Sequence, residues 1–333
     1  MTRVRWGVLS TADIGMAKVT PAIQQAENCE VVAIASRSSD AAAAAAAALG
    51  IPGAYGSYEA LLEEADIDAV YVPLPNNLHH EWTIKAVAAG KHVLCEKPIA
   101  MTASQAEEMA AAGHEAGVKV QEAFMYRHHP TWVEAVRLLR SGAIGELQAV
   151  HSWFSFFNDD PDNIRNHPEQ GGGAIMDVGC YCINLSRMLF EAEPTRVGAV
   201  VRQDPTMEID IVSSAVLEFP GGGQATFTCS IRAEAHQRVH IGGTHGRIDI
   251  EIPFNTPPDR ETSIFVTRRG DTPFATTTEK LVFAATDQYT IQASLFAKAI
   301  LDDTEVPVPI DDAIANMRVI DGILATEGTP RLR

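Results

Sequence analysis

The sequence predicts two domains of different fold class: an α/β domain over residues 1–125, and an α+β domain with a mostly antiparallel open sheet over residues 126–333. In the first part, short apolar strands alternate with helical segments of about 10–15 residues, the pattern of βαβ units around a parallel sheet. In the second part, strand-like segments follow one another through glycine-containing turns, which favours antiparallel pairing. A chain of 333 residues also exceeds what one ordinary core supports. The sequence leaves open that the final helices pack back on the first domain.

The first domain starts with a strand and then repeats strand and helix in order. The alanine run at 41–48 is predicted to be helical because alanine is the best helix former, with Ser39 or Asp40 as its cap and Gly50 at its end. The predicted strands span 4–9, 31–35, 69–72, 93–95 and 118–123, and the predicted helices start near 17 and span 41–48, 61–64, 79–89 and 102–117.

The second domain opens with a predicted helix at 131–140 and a long strand at 147–157 that is rich in aromatic residues. After an irregular polar stretch, three glycines at 171–173 lead into a helix that runs to Leu189. Further predicted strands span 195–203, 211–219, 223–233, 237–242, 246–251 and 263–268, and the final helices span 288–301 and 311–326.

Composition narrows the class of protein. The chain has 26 basic and 43 acidic residues and a net charge of −17, which argues against nucleic acid or an anionic membrane as a partner. Five cysteines without CxxC spacing fit reduced thiols in a cytoplasmic protein. The chain enters a strand at once and has no long apolar run, so we predict neither a signal peptide nor a membrane span.

The first chemical motif is the turn after the first strand, where Ser10-x-Ala12-x-x-Gly15 replaces two glycines of the G-x-G-x-x-G pattern. A turn of this kind places a dinucleotide pyrophosphate on the amino terminus of the following helix. Serine and alanine still allow close backbone approach to phosphate if φ stays negative. We therefore predict a dinucleotide site formed by the turn, with Ser10, Thr11, Ala12 and Ile14 as its residues.

The end of the second strand indicates which dinucleotide binds. An acidic residue here usually holds the ribose 2′-hydroxyl of NAD, but this chain has Ser36 and Arg37 and no acid before Asp40. Because arginine suits a 2′-phosphate, we predict NADP, with NAD still possible. The alternative is that Arg37 is an ordinary surface residue in a loop.

The strand at 93–95 ends abruptly at Glu96-Lys97-Pro98. Proline cannot donate to a strand ladder, so the strand stops there, and ligands of open α/β sheets bind at the carboxyl ends of strands. Lys97 is therefore a candidate site residue, whereas a solvated Glu–Lys pair is the alternative. A cis Lys97–Pro98 bond would be unsurprising in a fixed turn.

The helix after the three glycines carries Asp177 and Tyr181, which are four residues apart and share one helical face. Polar side chains on a mostly apolar helix must face solvent, a partner or a site. A core tyrosine with a satisfied hydroxyl is the alternative for Tyr181.

These motifs together resemble the glucose-fructose oxidoreductase / inositol dehydrogenase / MocA (Gfo/Idh/MocA) family. The resemblance rests on the dinucleotide turn, Asn76-x-x-His79, Glu96-Lys97-Pro98, and the triple glycine ahead of Asp177 and Tyr181, and it covers residues 4–190. Tyr181, where inositol dehydrogenases carry histidine, and the Asn163-Ile164-Arg165 run are similar to the branch of dihydrodiol dehydrogenases and NADP-dependent xylose dehydrogenases.

The resemblance implies a Rossmann domain and an oxidoreductase that transfers hydride at a carbinol carbon of a sugar or cyclic polyol. It assigns Lys97 and Tyr181 to acid/base chemistry and Asp177 to the substrate. Phe154 is a candidate wall of the substrate pocket, although the strand pattern leaves open whether its face is core. The implied cofactor contacts, besides the turn residues, are Ser36, Arg37, Pro73, Leu74, Asn76, His79, Glu96, Lys97 and, from the second domain, Arg165.

The sequence leaves several alternatives open. His79 could instead be a water-exposed residue at a helix start. The enzyme could be a trans-dihydrodiol dehydrogenase or a ketose reductase. An alternative from another functional class is a non-catalytic protein that senses NADP.

We predict no metal, because His128 and His129 are adjacent and do not face one way. A homodimer or homotetramer through the second sheet is predicted, since an antiparallel sheet with one uncovered face usually finds a partner.

Overall fold

The computed structural model describes residues 2–270, 272 and 275–325, and Thr326, the predicted end of the last helix, lies outside them. The chain forms two compact units. The first runs to Met125 and also includes Asp287–Met317, and the second comprises Tyr126–Thr286 and the chain from Arg318 onward.

The first unit is built on a parallel sheet that, within the described residues, has six strands in the order β3-β2-β1-β4-β5-β6. This is the strand order of dinucleotide-binding folds, in which ligands bind at the carboxyl edge. The strands are β1 (Val4–Leu9), β2 (Cys29–Ala35), β3 (Gly53–Tyr55), β4 (Ala69–Val72), β5 (His92–Cys95) and β6 (Val120–Glu122), and the helices between them are α1 (Thr20–Gln25), α2 (Ser39–Leu49), α3 (Tyr58–Leu62), α4 (Asn76–Ala88) and α5 (Ala103–Ala116).

Two details of this unit differ from the sequence prediction. Strand β3 was not predicted, because it is a three-residue edge strand that begins at a glycine and has no apolar run. Helix α2 is capped by Ser38, whose hydroxyl accepts from the Ala41 N–H at 3.3 Å, instead of by Ser39 or Asp40. The predicted stop is confirmed, since Gly50 ends the helix in the left-handed conformation at φ 66°.

The second unit starts with α6 (Pro130–Arg140) and contains α7 (Cys180–Phe190), which follows a π-helical turn at Ile175–Gly179. Its sheet, counted over the described residues, has eight strands in the order β14-β13-β12-β11-β7-β10-β9-β8. Neighbours are antiparallel except β10 and β7, which are parallel. The strands are β7 (Leu147–Phe157), β8 (Arg196–Gln203), β9 (Asp210–Glu218), β10 (Gln224–Ser230), β11 (Arg232–Gly243), β12 (Gly246–Ile250), β13 (Thr262–Arg269) and β14 (Thr276–Phe283).

Strand β14 was not predicted, and the predicted strand 223–233 is divided between β10 and β11. Strand β14 is rich in threonine and mostly exposed, so it lacks the alternating apolar residues that mark a strand in a sequence. The division falls at Ile231, and the register of β11 against β7 then shifts between Arg232 and His236. An irregularity of this kind depends on the partner strand and leaves no local signal.

Two helices follow the second sheet: α8 (Gln288–Leu301) and α9 (Ile310–Ala325). Helix α8 packs into the core of the first unit, where the rings of Phe296 and Trp6 lie 5.6 Å apart and both side chains are fully buried. Among the helices that the structure describes, none combines the length and apolarity needed to cross a bilayer.

Candidate active site

The turn after β1 holds Ser10 in a conformation that L-residues rarely adopt, with φ at 149°. Ser10 therefore does not meet the condition of a negative φ that the sequence analysis set for this turn, although its hydroxyl stabilises the turn by accepting from the Ala12 N–H at 3.0 Å. Strain of this kind costs about 1–3 kcal/mol and is concentrated at functional sites. A π-helical turn at Gly15–Val19 follows, and a Cβ on Gly15 would approach Pro73 Cγ to 3.4 Å. The small residue lets this turn lie against the loop after β4.

The end of β2 presents an arginine to solvent. Ser36 is buried, and its hydroxyl accepts from the Ser38 N–H at 3.4 Å. Arg37 is exposed and makes no hydrogen bond or ion pair within the part of the chain that the structure describes. Its guanidinium is available to an anionic ligand at the carboxyl edge of the sheet.

His79 is fully buried, so the alternative of a water-exposed residue is wrong. Each ring nitrogen lies 2.8 Å from a backbone carbonyl oxygen, Nδ1 from that of Pro98 and Nε2 from that of Leu74. Burial lowers the pKa of His79 below its ordinary value, the two carbonyls oppose that shift, and the Lys97 charge adds to it. The imidazole thus bridges the loop after β4 and the turn after β5.

A tyrosine hydroxyl supports the turn after β5 through a hydrogen bond to Glu96. Glu96 accepts a 2.7 Å hydrogen bond from the Tyr71 hydroxyl and a longer one, 3.3 Å, from the Lys97 N–H. Burial raises the pKa of Tyr71, and the nearby Glu96 carboxylate raises it further, so the tyrosine stays a neutral donor. The Lys97–Pro98 bond is cis, as anticipated, and Lys97 itself is half-buried.

In the second unit, Gly172 and Gly173 of the triple glycine are required by close contacts with neighbouring atoms. A Cβ on Gly172 would lie 2.5 Å from the Arg165 carbonyl oxygen, and a Cβ on Gly173, whose φ is 110°, would overlap the Asp210 carboxylate. That buried carboxylate accepts from the Ile175 N–H at 2.9 Å and therefore binds the start of the helix that carries the candidate residues.

The structure brings Arg165 and Asp177 together, a pairing that the sequence did not suggest. The guanidinium Nε donates to Asp177 Oδ2 at 2.7 Å, and the Asp177 side chain is 12% exposed. The guanidinium carbon also lies 5.7 Å from the centre of the Phe156 ring. Arg165 thus contacts the candidate substrate residue of its own unit.

Tyr181 is surrounded by aromatic rings. The ring centres of Phe154, Phe254 and Tyr126 lie 5.5, 5.3 and 5.9 Å from that of Tyr181. Tyr126 in turn donates to Asn184 Oδ1 at 2.6 Å. Phe154 is 4% exposed and stacks on Phe254, so its face is core and its ring packs behind Tyr181.

The sequence indicated the candidate catalytic residues, but it did not indicate the residues that support them. Tyr71 and Phe254 lie far along the chain from the groups they contact, and no motif marks them. Asp210 and Glu122 are single carboxylates at strand ends, a signal too common to be informative. Among the described residues, no group of three or more His, Cys, Asp or Glu side chains is arranged to hold a metal ion.

Comparisons with known proteins agree with the two-unit architecture. Residues 4–124 match the oxidoreductase family with an NAD-binding Rossmann fold, and residues 132–249 match the GFO/IDH/MocA C-terminal domain. D-xylose 1-dehydrogenase (NADP(+)) 2 of Haloferax volcanii is 39% identical over 97% of this chain and 97% of its own length. Trans-1,2-dihydrobenzene-1,2-diol dehydrogenase of Mus musculus is 34% identical over 74% of each chain.

A solved structure is also similar to this chain over almost its whole length. The 3-ketoreductase from Actinomadura kijaniata, crystallised with NADP and TDP-benzene, superposes with a TM-score of 0.90 at 32% identity, over 97% of this chain and 98% of its own. Sequence and structure agree over both units, so this chain belongs to the Gfo/Idh/MocA family of oxidoreductases.

Proposed function

We propose that this protein is an NADP-dependent dehydrogenase that transfers hydride between nicotinamide and a carbinol carbon of a sugar or cyclic polyol, as an aldose 1-dehydrogenase does. The observation that carries the proposal is the position of Lys97 at the carboxyl end of β5, in a unit with the strand order of dinucleotide-binding folds. The relatives named for NADP-dependent xylose oxidation and for 3-ketoreduction support the choice of a sugar-type substrate.

The residues at the carboxyl edge of the first sheet fit a dinucleotide. The turn at Ser10–Ile14 precedes a helix and would hold the pyrophosphate, with Thr11 and Ala12 half-buried at its bend. Exposed Arg37 beside Ser36 would hold the 2′-phosphate. Bound NADP supplies the hydride acceptor or donor at its nicotinamide ring. Further cofactor contacts are assigned to Pro73, Leu74, Asn76, Glu96, Lys97 and, from the second unit, Arg165.

The proton chemistry is assigned to Tyr181 with the assistance of Lys97. Oxidising an alcohol requires a base for its hydroxyl proton, but a free tyrosine has a pKa near 10 and is a poor base at neutral pH. The Lys97 ammonium would favour the phenolate, and the same phenol would donate a proton to the carbonyl in the reducing direction. Asp177, held by Arg165, would orient a neighbouring substrate hydroxyl or Lys97.

His79 needs a different assignment from the one that the family resemblance implied. Its ring is fully buried and both nitrogens face backbone carbonyls of the protein, so it supports the cofactor loop from behind instead of contacting the cofactor. Phe154 similarly supports Tyr181 instead of lining the pocket.

A panel of sugars and cofactors tests the proposed function. The purified protein, mixed with NADP⁺ and D-xylose, D-glucose, myo-inositol or a trans-dihydrodiol, should give absorbance at 340 nm with at least one sugar. Turnover with the dihydrodiol alone would assign the chain to dihydrodiol oxidation, and turnover only of a ketose with NADPH would assign it to reduction. NADPH binding without turnover of any compound would favour a non-catalytic sensor.

Arg37 is expected to set the cofactor preference. Arg37→Ala removes the proposed partner of the 2′-phosphate, and a charge-assisted hydrogen bond of about 1.5–3 kcal/mol corresponds to a rise of roughly 10- to 100-fold in the KM for NADP⁺. The KM for NAD⁺ should change little. Steady-state kinetics with both cofactors check this, with Arg260→Ala, an exposed arginine in the loop before β13, as the matched control. Equal effects on both cofactors would contradict the assignment.

We also propose that the protein forms a homodimer or homotetramer through the open face of its second sheet. Directly paired residues form a row across this face: Val216, Thr226, His151, His240 and Asp249. Val216 is 48% exposed, and Val200, two residues along the same face of the neighbouring strand, is 77% exposed. Sedimentation equilibrium measures the stoichiometry directly, and a monomer at micromolar concentration would contradict this proposal.

A further inference from the structure

The turn that follows β5 is held by side chains from neighbouring elements. We refer to residues 97–99 as the lysine turn. The Pro98 carbonyl oxygen lies 2.8 Å from His79 Nδ1, and the Ile99 N–H donates to Glu122 Oε1 at 2.8 Å. These two groups are the two ends of one peptide unit, so a single peptide plane is bonded on both sides by buried side chains.

Glu122 reaches the lysine turn from the next strand of the sheet. It is the last residue of β6, is 2% exposed and pairs in register with Cys95, the last residue of β5. Backbone pairing continues one residue further, since the Ala123 N–H donates to the Cys95 carbonyl at 2.8 Å. Strand β6 therefore fixes the position from which the carboxylate holds the Ile99 N–H.

His79 reaches the lysine turn from the other side, within α4. Its second nitrogen, Nε2, lies 2.8 Å from the Leu74 carbonyl oxygen in the loop after β4. One imidazole therefore touches both the loop assigned to the cofactor and the turn that carries Lys97. The ring is fully buried, so bulk water does not compete for either nitrogen.

We propose that His79 and Glu122 are positioning residues that hold the Pro98–Ile99 peptide from both sides and thereby fix Lys97 relative to the cofactor loop. This inference rests on the proposed role of Lys97 in hydride transfer. The physical reason is that proline supplies no N–H to the sheet ladder, so the lysine turn is anchored by these side chains. Neither residue touches the reacting atoms, and both act through Lys97.

The hydrogen bonds that hold the Pro98–Ile99 peptide, here called the brace, also assign the tautomer of His79. A carbonyl oxygen only accepts a hydrogen bond, so the ring holds the Pro98 carbonyl when Nδ1 carries a proton. Burial lowers the pKa of His79 to about 4, so the ring is neutral at pH 7 and carries a single proton, which the brace assigns to Nδ1.

Kinetics of four variants test the positioning role. In His79→Ala and Glu122→Ala, kcat with NADP⁺ and D-xylose should fall by roughly 10- to 100-fold because misplacement by about 1 Å has this effect, whereas the two KM values should change far less. Glu122→Gln keeps an acceptor for the Ile99 N–H and should recover most of the lost kcat. His80→Ala, which removes a neighbouring ring that pairs with Glu108 on the surface, is the control and should keep the wild-type kcat.

Two further measurements keep the test independent of folding and of turnover. Thermal unfolding and NADPH fluorescence identify any variant that has lost its fold. If His79→Ala has lost its fold, the comparison of kcat between Glu122→Gln and Glu122→Ala tests the positioning role. Nitrogen-15 NMR of the histidine rings in the wild-type protein at pH 7 needs no substrate. A proton on Nδ1 of His79 supports the brace even if no sugar is oxidised, and a ring protonated on Nε2 alone overturns it. Unchanged kcat in folded Glu122→Ala would also overturn it, and inactivity of the wild type alone would count against the proposed function instead.

Discussion

Replacing Tyr181 with phenylalanine is expected to lower kcat by about 10²- to 10⁴-fold, the usual contribution of a positioned acid/base group. The phenylalanine ring keeps the packing against Phe154 and Phe254, so the free energy of unfolding should change little. In the proposed mechanism, Lys97→Met should lower kcat by a similar factor, because it removes the charge that would favour the phenolate. Initial rates with NADP⁺ and the best sugar of the panel, together with urea unfolding, provide the measurement.

Matched controls separate chemistry from general damage. Tyr58→Phe changes a buried tyrosine that packs edge-on against Trp82 in α4, and Lys298→Met removes an exposed ammonium paired with Asp302. Both should keep the wild-type kcat. Near-full turnover in Tyr181→Phe with an inactive Lys97→Met would move the acid/base role to Lys97, and full activity in both variants would refute the mechanism.

Gly173→Ala is expected to reduce the free energy of unfolding by about 3 kcal/mol or more, which is at the severe end for one methyl group. Two penalties act together. A non-glycine residue at φ 110° is strained by about 1–3 kcal/mol, and its Cβ would overlap the Asp210 carboxylate. Displacing Asp210 would also free the Ile175 N–H that it binds, at the start of the helix carrying Asp177 and Tyr181.

The control for this substitution is Gly198→Ala in the edge strand β8. A Cβ on Gly198 meets no atom within 4 Å, and its φ lies outside the left-handed region. The change in the free energy of unfolding should stay within about 0.5 kcal/mol. Urea denaturation of both variants checks the difference, and a Gly173→Ala protein as stable as Gly198→Ala would show that a glycine at position 173 is not required for packing.

The sequence predicted the fold class and most of its elements because the signals are local. Alternation of strand and helix, the Gly50 stop and the abrupt end at Pro98 are each visible within a few residues. The two strands that it missed, β3 and β14, lie at sheet edges and contain no alternating apolar residues. Edge strands are defined by the neighbour with which they pair, which a local pattern does not contain.

The candidate site was predicted less completely than the fold. Asp177 and Arg165 were both identified, but as separate contacts of substrate and cofactor, whereas their side chains form an ion pair at 2.7 Å. The positive φ of Ser10 was also not predicted, because it depends on a side chain that accepts a hydrogen bond from the Ala12 N–H and stabilises a backbone angle that serine otherwise rarely adopts. For the Arg165–Asp177 pair and for Ser10, a specific side-chain contact determined the arrangement, and residue type alone does not indicate such a contact.

The sequence by itself determined that a dinucleotide-binding parallel sheet precedes an antiparallel one, and that Lys97, Asp177 and Tyr181 are the residues to test. Periodicity and turn residues are sufficient for the two sheets, because they act between residues a few positions apart, whereas the choice of the three site residues also rests on the family resemblance. Only the tertiary structure decided that His79 turns inward to two carbonyls, that Glu122 holds the lysine turn and that Asp210 binds the helix start. These arrangements join residues 19, 23 and 35 positions apart, so they exist only once strands and helices have packed.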